Sequence, residues 1–246
     1  MTDRYFADPD LSALYDAFNP PGPRADFAFY TPLVMAARAV LDVGCGTGAL
    51  LHAARLAGHA GRLCGVDPGA GMIAAAADRA DIEWILGDLT AVACERVFDL
   101  VVMTGHAFQA LVTDEDIRCA LSIIRRALTD DGRFAFETRN PAAQVWEDWP
   151  SREPAQVTGP SGRPVRMARR VETPFDGRTV CLSHTFTSDA WDAPRVSRST
   201  LRFLDTPALM AMLGEAGLTI EAQFGDWDRG PLDEGSQEII TLARRG

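Results

Sequence analysis

Along the first 140 residues the apolar positions alternate between two patterns. The runs AVLDVG (39–44), RLCGVD (62–67), IEWIL (82–86), VFDLVVM (97–103) and RFAFET (133–138) are apolar almost throughout, as strands buried on both faces are. Between them lie stretches of helical spacing: Thr47 to Ala57, GMIAAAADRA (71–80), and a segment opening at Thr113. In the last, Ile117, Leu121, Ile124 and Leu128 share one face, and Thr113 with Asp116 can form a capping box before DDG (130–132) ends the helix. LSALYDAF (11–18) and DFAFYTPLVMAA (26–37) read as two short helices broken by NPPGP. Strand–helix alternation of this kind predicts a doubly wound α/β domain, a mostly parallel sheet covered on both faces.

From about Pro141 to Asp205 the period changes to two. VRMARRVE (165–172), TVCLSHTFTS (179–188) and RVSRSTLRFL (195–204), separated by TPFDGR and DAWDAP, predict antiparallel strands joined by turns. TPALMAMLGEAG (206–217) then restarts a helix, with Thr206 as cap, Pro207 at its first position and Gly217 past its end. LTIEAQFGDW and SQEIITLAR complete the first sheet. The expected division is a Rossmann-like domain of residues 1–140 and 205–246, with residues 141–204 inserted after the fifth strand as an antiparallel β cap.

Charge and composition narrow the chemistry. The formal net charge is −10 and the pI about 4.9, which disfavours a nucleic-acid backbone or an anionic membrane as partner. The segment from Pro141 to Asp205 has nine arginines and eight acids, so the acidity lies elsewhere. The opening residues lack the apolar core of a signal peptide, and no run approaches the ~20 apolar residues of a membrane helix; a cytoplasmic protein, monomer or homodimer, is expected. Five cysteines without C-x-x-C spacing, and histidines 52, 59, 106 and 184 without helical ligand spacing, predict neither a disulfide framework nor a metal site. All 24 basic residues are arginine, which excludes a Walker phosphate loop and a Schiff-base enzyme, since both need a lysine.

The turn after the first strand reads G-x-G-x-G, at Gly44, Gly46 and Gly48. A dinucleotide fingerprint needs its last glycine one residue later, so the spacing disfavours a pyrophosphate, although a tight structural turn would use the same residues. Asp67, nineteen residues on at the next strand end, can accept from two ribose hydroxyls or cap the helix near Gly69. Asp88, in GDL (87–89), can accept from an exocyclic amine beside the Leu89 backbone.

Together, VLDVGCGTG, GVDPGAGM, GDL and FDLVVMTGHAFQAL resemble, in order and spacing, the motifs of class I S-adenosylmethionine-dependent methyltransferases. The resemblance spans Val40 to about Asn140, with the closing helix and two strands also matching. It implies a seven-stranded sheet whose last strand is antiparallel. Gly44, Cys45, Gly46 and Gly48 would pass beneath the methionine part of S-adenosylmethionine, with Thr104 nearby. Asp67 would hold the ribose, Pro68 and Met72 the adenine face, Asp88 and Leu89 the adenine edge, and Asp42 would orient the glycine loop.

Methyl transfer displaces a neutral sulfide in line, so positioning can supply much of the rate and no acid is required. A base is needed only where the acceptor must lose a proton. His106, in TGHAFQ at the end of the fourth strand, is the candidate base, cofactor positioning being its other reading; Tyr15 on the N-terminal helices is a second candidate. Tyr30, Arg139, Trp146 and His184 are candidate acceptor contacts, with ordinary packing as the alternative for each. The acceptor is expected to be a small molecule with an oxygen or nitrogen nucleophile. The rival functions are an S-adenosylmethionine-binding module without chemistry and a nucleotide-dependent oxidoreductase. For the insert, the rivals are an acceptor-binding cap and an oligomerisation sheet.

Overall fold

In the computed structural model, residues 3–20, 24–149 and 153–246 are described. Strands β1 (Ala39–Val43), β2 (Arg62–Asp67), β3 (Glu83–Leu86) and β4 (Phe98–Met103) are parallel, and β5 (Leu128–Arg139) continues them beside β4. Alternate residues of one strand enter different cores. Leu41, Val43, Val101, Phe134 and Phe136 meet Ile117, Leu121 and Ile124 of α7 (Asp114–Ala127) and Leu209 and Leu213 of α8 (Thr206–Glu215). Val40, Leu100, Val102 and Ala135 meet Phe29, Tyr30 and Val34 of α4 (Ala25–Ala36) and Leu50, Leu51 and Ala54 of α5 (Ala49–Leu56). Period-two burial on both faces explains why these runs read as apolar throughout.

The sheet is completed by β10 (Leu218–Phe224) and β11 (Glu238–Arg245), giving the order β10-β11-β5-β4-β1-β2-β3. β11 is antiparallel to both neighbours. This is the seven-stranded sheet with an antiparallel last strand that the sequence resemblance implies. A second, four-stranded antiparallel sheet is formed by β6 (Ala155–Thr158), β7 (Pro164–Thr173), β8 (Thr179–Thr187) and β9 (Arg195–Arg202).

Several local readings change. DDG does not end α7; it lies within β5 as a bulge, the register jumping from Phe98↔Leu128 to Leu100↔Arg133. Gly132 is closely packed there: an added Cβ would stand 3.0 Å from Leu128 Cδ2, the Phe98 carbonyl oxygen and the Thr129 nitrogen. The cap of α8 is Asp205, whose carboxylate accepts from the Ala208 N–H at 2.9 Å, so Thr206 is the first helical residue. β6 was hidden by its polar sequence AQVT, of which only Val157 is even half-buried. The N-terminal segment forms three single-turn helices before α4, namely α1 (Arg4–Ala7), α2 (Pro9–Ser12) and α3 (Tyr15–Phe18). Tyr5, Leu11 and Leu14 of this segment share a core with Val165 and Phe186 of the second sheet.

Candidate active site

The parallel strands end side by side at one edge, where open α/β sheets bind ligands. After β1, Gly44, Gly46 and Gly48 all take positive φ, at 71°, 55° and 75°. Their surroundings differ. A Cβ at Gly44 would stand 2.7 Å from Ala107 Cβ, and one at Gly48 would stand 2.3 Å from the Trp84 ring. At Gly46 no atom of the described residues lies within 4 Å of that place. Two glycines therefore serve close packing, and the middle one opens onto space.

Asp67, 8 % exposed at the end of β2, binds both neighbouring loops: Oδ2 accepts from Gly46 N–H at 2.9 Å and Oδ1 from Gly69 N–H at 2.7 Å. Burial raises its pKa and the two N–H donors oppose the rise. Each oxygen keeps a second acceptor position. Beneath the turn, Asp42 is 1 % exposed, and its Oδ1 is a buried acceptor with no partner among the described residues. Burial, and then the charges of Asp67 and Glu137, push its carboxyl up to about 8. An open glycine, an acceptor pair at the next strand end and an orphaned carboxylate oxygen suit a ligand rich in N–H and O–H donors, as S-adenosylmethionine is.

Beyond β4, His106 has φ 63° and its N–H donates to Glu137 Oε1 at 2.7 Å. Its Nε2 lies 2.9 and 3.1 Å from the two carboxylate oxygens of Glu238. A cavity of about 220 Å³ opens here, lined by His106, Arg139, Asp148, Trp149, Arg169 and Glu238 among others. Both guanidinium groups lie over the Trp149 ring, 5.4 Å (Arg139) and 5.6 Å (Arg169) from its centroid, within cation–π range. Arg139 Nη1 also donates to Gln109 Oε1 at 2.8 Å. The wall thus combines the end of β4, the end of β5 with the segment after it, the start of β11 and the middle of β7.

Several candidates lie elsewhere than the sequence suggested. Tyr30 is fully buried, its hydroxyl donating to Glu137, and it presents no face to the cavity. Trp146 sits in the core of the second sheet against Phe175 and Phe203, at 4.5 and 4.6 Å between ring centroids, and the cavity wall is formed by Trp149. His184 stands behind Arg169, its Nε2 accepting from Arg169 Nε at 3.1 Å. Desolvation, then the Arg169 charge, lowers its pKa to about 4. Tyr15 packs against the rings of Tyr5 and Phe6, and burial raises its pKa. A phenol that holds its proton more tightly is no base at neutral pH. Met72 is 1 % exposed, with no open side-chain face for an adenine in this conformation. Cys45 and Leu89 are buried while Pro68 and Asp88 are exposed, and Asp88 Oδ1 caps its own turn by accepting from Thr90 N–H at 2.8 Å. Thr104, half-buried at the end of β4, accepts from Ala107 N–H through its carbonyl at 3.3 Å.

Sequence reasoning missed Glu137, Asp148, Arg169 and Glu238. For Glu238 a signal existed: an antiparallel last strand begins at the edge where parallel strands end. No helix among the described residues is long and apolar enough to cross a membrane, and those residues contain no cluster of three or more His, Cys, Asp or Glu able to hold a metal.

Residues 40–132 match the family model described as a methyltransferase domain. A putative methyltransferase of Geobacillus sp. (strain WCH70) is 32% identical over 109 residues, covering 42% of this chain and 43% of that protein. The cypemycin N-terminal methyltransferase of Streptomyces sp is 28% identical over 212 residues, covering 85% and 83%. The chain superposes on the CcbJ methyltransferase from Streptomyces caelestis with a TM-score of 0.71 at 21% identity, covering 94% and 98% of the two chains. With CalS10, an amino pentose methyltransferase from Micromonospora echinaspora solved with S-adenosylmethionine bound, the TM-score is 0.69 at 21% identity, covering 95% and 97%. Residues 40–132 thus carry a methyltransferase domain, and the chain as a whole shares the fold of these solved methyltransferases.

Proposed function

We propose that this protein transfers the methyl group of S-adenosylmethionine to the amine nitrogen of a small molecule. The observation that carries the reading is the cavity of about 220 Å³ lined by His106, Asp148, Glu238, Trp149, Arg139 and Arg169. Its volume lies below the usual ~300–1,000 Å³ of drug-sized pockets, which suits a single ring or a short chain end. Carboxylates at the wall favour an ammonium group, and arginines can donate to hydroxyls. Relatives whose names specify an amino pentose and an N-terminal methylation support an amine acceptor.

On this reading the bound cofactor supplies an electrophilic methyl carbon whose leaving group departs neutral. The chain's residues do the rest. Gly46 admits the ligand to the backbone, Asp67 accepts ribose hydroxyls, and Asp42 takes a donor of the methionine end or a water bridging to it. Residues 141–204 act as the acceptor-binding cap, with Arg169 and Trp149 closing the pocket over the strand ends. His106 stands where the acceptor's proton must leave. The chain works as a monomer or homodimer, with no nucleic acid as substrate.

The test is tritium transfer from methyl-labelled S-adenosylmethionine to a panel of amino sugars, short peptides and their hydroxyl analogues. The reading requires label in an amine product. Binding of S-adenosylmethionine without transfer to any member would favour a module without chemistry, and binding of NADH in its place would favour an oxidoreductase.

A further inference from the structure

β11 runs against its neighbours, so its first residue, Glu238, pairs with Arg139 at the finishing end of β5. That places a carboxylate at the ligand edge from the far end of the chain. Glu238 and His106 are 17 % and 19 % exposed at their side chains, so their contact is largely shielded from water. An ionised carboxylate only accepts hydrogen bonds. With both of its oxygens within 3.1 Å of Nε2, the ring proton of a neutral imidazole belongs on Nε2 and the lone pair on Nδ1. Among the described residues, the ring's hydrogen bonds all fall on Nε2.

The backbone of His106 is fixed separately. Its φ of 63° is uncommon for a residue with a side chain, and such a conformation persists when neighbours hold it. Glu137, 1 % exposed, does so through the His106 N–H, while its other oxygen accepts from the Tyr30 hydroxyl. A histidine that only filled space would need neither restraint. This one has its backbone and one ring nitrogen fixed and the other nitrogen left over, beside a cavity.

We propose that Glu238 is a positioning residue that holds His106 as the Nε2–H tautomer, so that Nδ1 removes the proton from the ammonium acceptor. The inference rests on the amine reading given above. Nδ1 takes one proton from the acceptor nitrogen. The lone pair so freed forms the new carbon–nitrogen bond as the methyl carbon–sulfur bond breaks, its electron pair staying on sulfur. The imidazolium, stabilised by Glu238, then returns its proton to solvent.

The test is the tautomer of His106 in protein labelled with 15N-histidine, read from long-range proton–nitrogen spectra and assigned by loss of the signal in His106→Asn. The wild type should show Nε2–H, and Glu238→Ala a mixture of tautomers. Glu238→Ala should bind S-adenosylhomocysteine within threefold of wild type, and its kcat on the amine found by the tritium screen should fall at least thirtyfold, with KM changing less. Should Glu238→Ala not fold, Glu238→Gln keeps the volume and should give an intermediate loss of kcat. An Nδ1–H tautomer in the wild type, or kcat unchanged in the folded Glu238 variants, overturns the proposal. The tautomer is measured without acceptor, so it judges Glu238 even if the tritium screen finds no amine substrate and the amine reading itself fails.

Discussion

Asp67 Oδ2 accepts the backbone N–H of Gly46 at 2.9 Å, while its other oxygen accepts from Gly69 at 2.7 Å. One carboxylate thus sets the spacing of the two loops between which a nucleoside would lie. Asp67→Ala removes the two hydrogen bonds proposed from the ribose hydroxyls to this charged group, each worth about 1.5–3 kcal/mol. Calorimetry should show affinity for S-adenosylmethionine reduced by roughly a hundredfold or more. Unchanged affinity would remove Asp67 from the site.

The three glycines should separate by assay. Gly46→Val fills space that no protein atom occupies, so it should abolish cofactor binding with a modest loss of stability from its positive φ. Gly48→Ala drives a methyl into Trp84 and should lower the melting temperature more than Gly46→Val does. Thermal unfolding and calorimetry on both variants check the order.

His184 carries a pH prediction. Its pKa falls from the ordinary value of 6.5 to about 4 on folding, through desolvation and then the Arg169 charge. Between those values the unfolded chain binds a proton that the folded chain refuses, so stability is complete above pH 6.5 and is lost as the pH falls toward 4. The full effect is of order 3 kcal/mol. His184→Gln, whose carbonyl can still accept from Arg169, should flatten the melting temperature across this window by several degrees. Equal acid sensitivity in the variant would refute the assignment.

The doubly wound order and the helix capped by Thr113 and Asp116 were legible because local signals and burial agree there. The capping box is present, with Thr113 Oγ1 accepting from Asp116 N–H at 3.0 Å. The glycine turn was legible as a ligand loop, yet only Gly46 faces open space, because Trp84 and Ala107 reach the other two from distant elements. The acceptor wall was the least legible part. Trp146 and Trp149 stand three residues apart in sequence, and only the fold decides that one anchors a sheet while the other meets Arg139 and Arg169. Glu238 meets His106 across 132 residues, beyond the reach of any spacing rule.

Trp149 gives a test of the acceptor wall itself. Trp149→Ala should raise the acceptor KM at least tenfold and leave affinity for S-adenosylmethionine within threefold, with a stability loss of about 3 kcal/mol from the cavity. Steady-state kinetics and calorimetry separate the two sites. Equal losses at both would mean that Trp149 only supports the fold.

The central claim is methyl transfer to nitrogen. Its most direct measurement is the carbon–proton correlation spectrum of the product formed from S-adenosylmethionine carrying a 13C-methyl group. The account predicts an N-methyl resonance on an amine acceptor, absent in His106→Asn protein that still binds the cofactor. An O-methyl resonance from the hydroxyl analogue, or no labelled product while the cofactor binds, would contradict it.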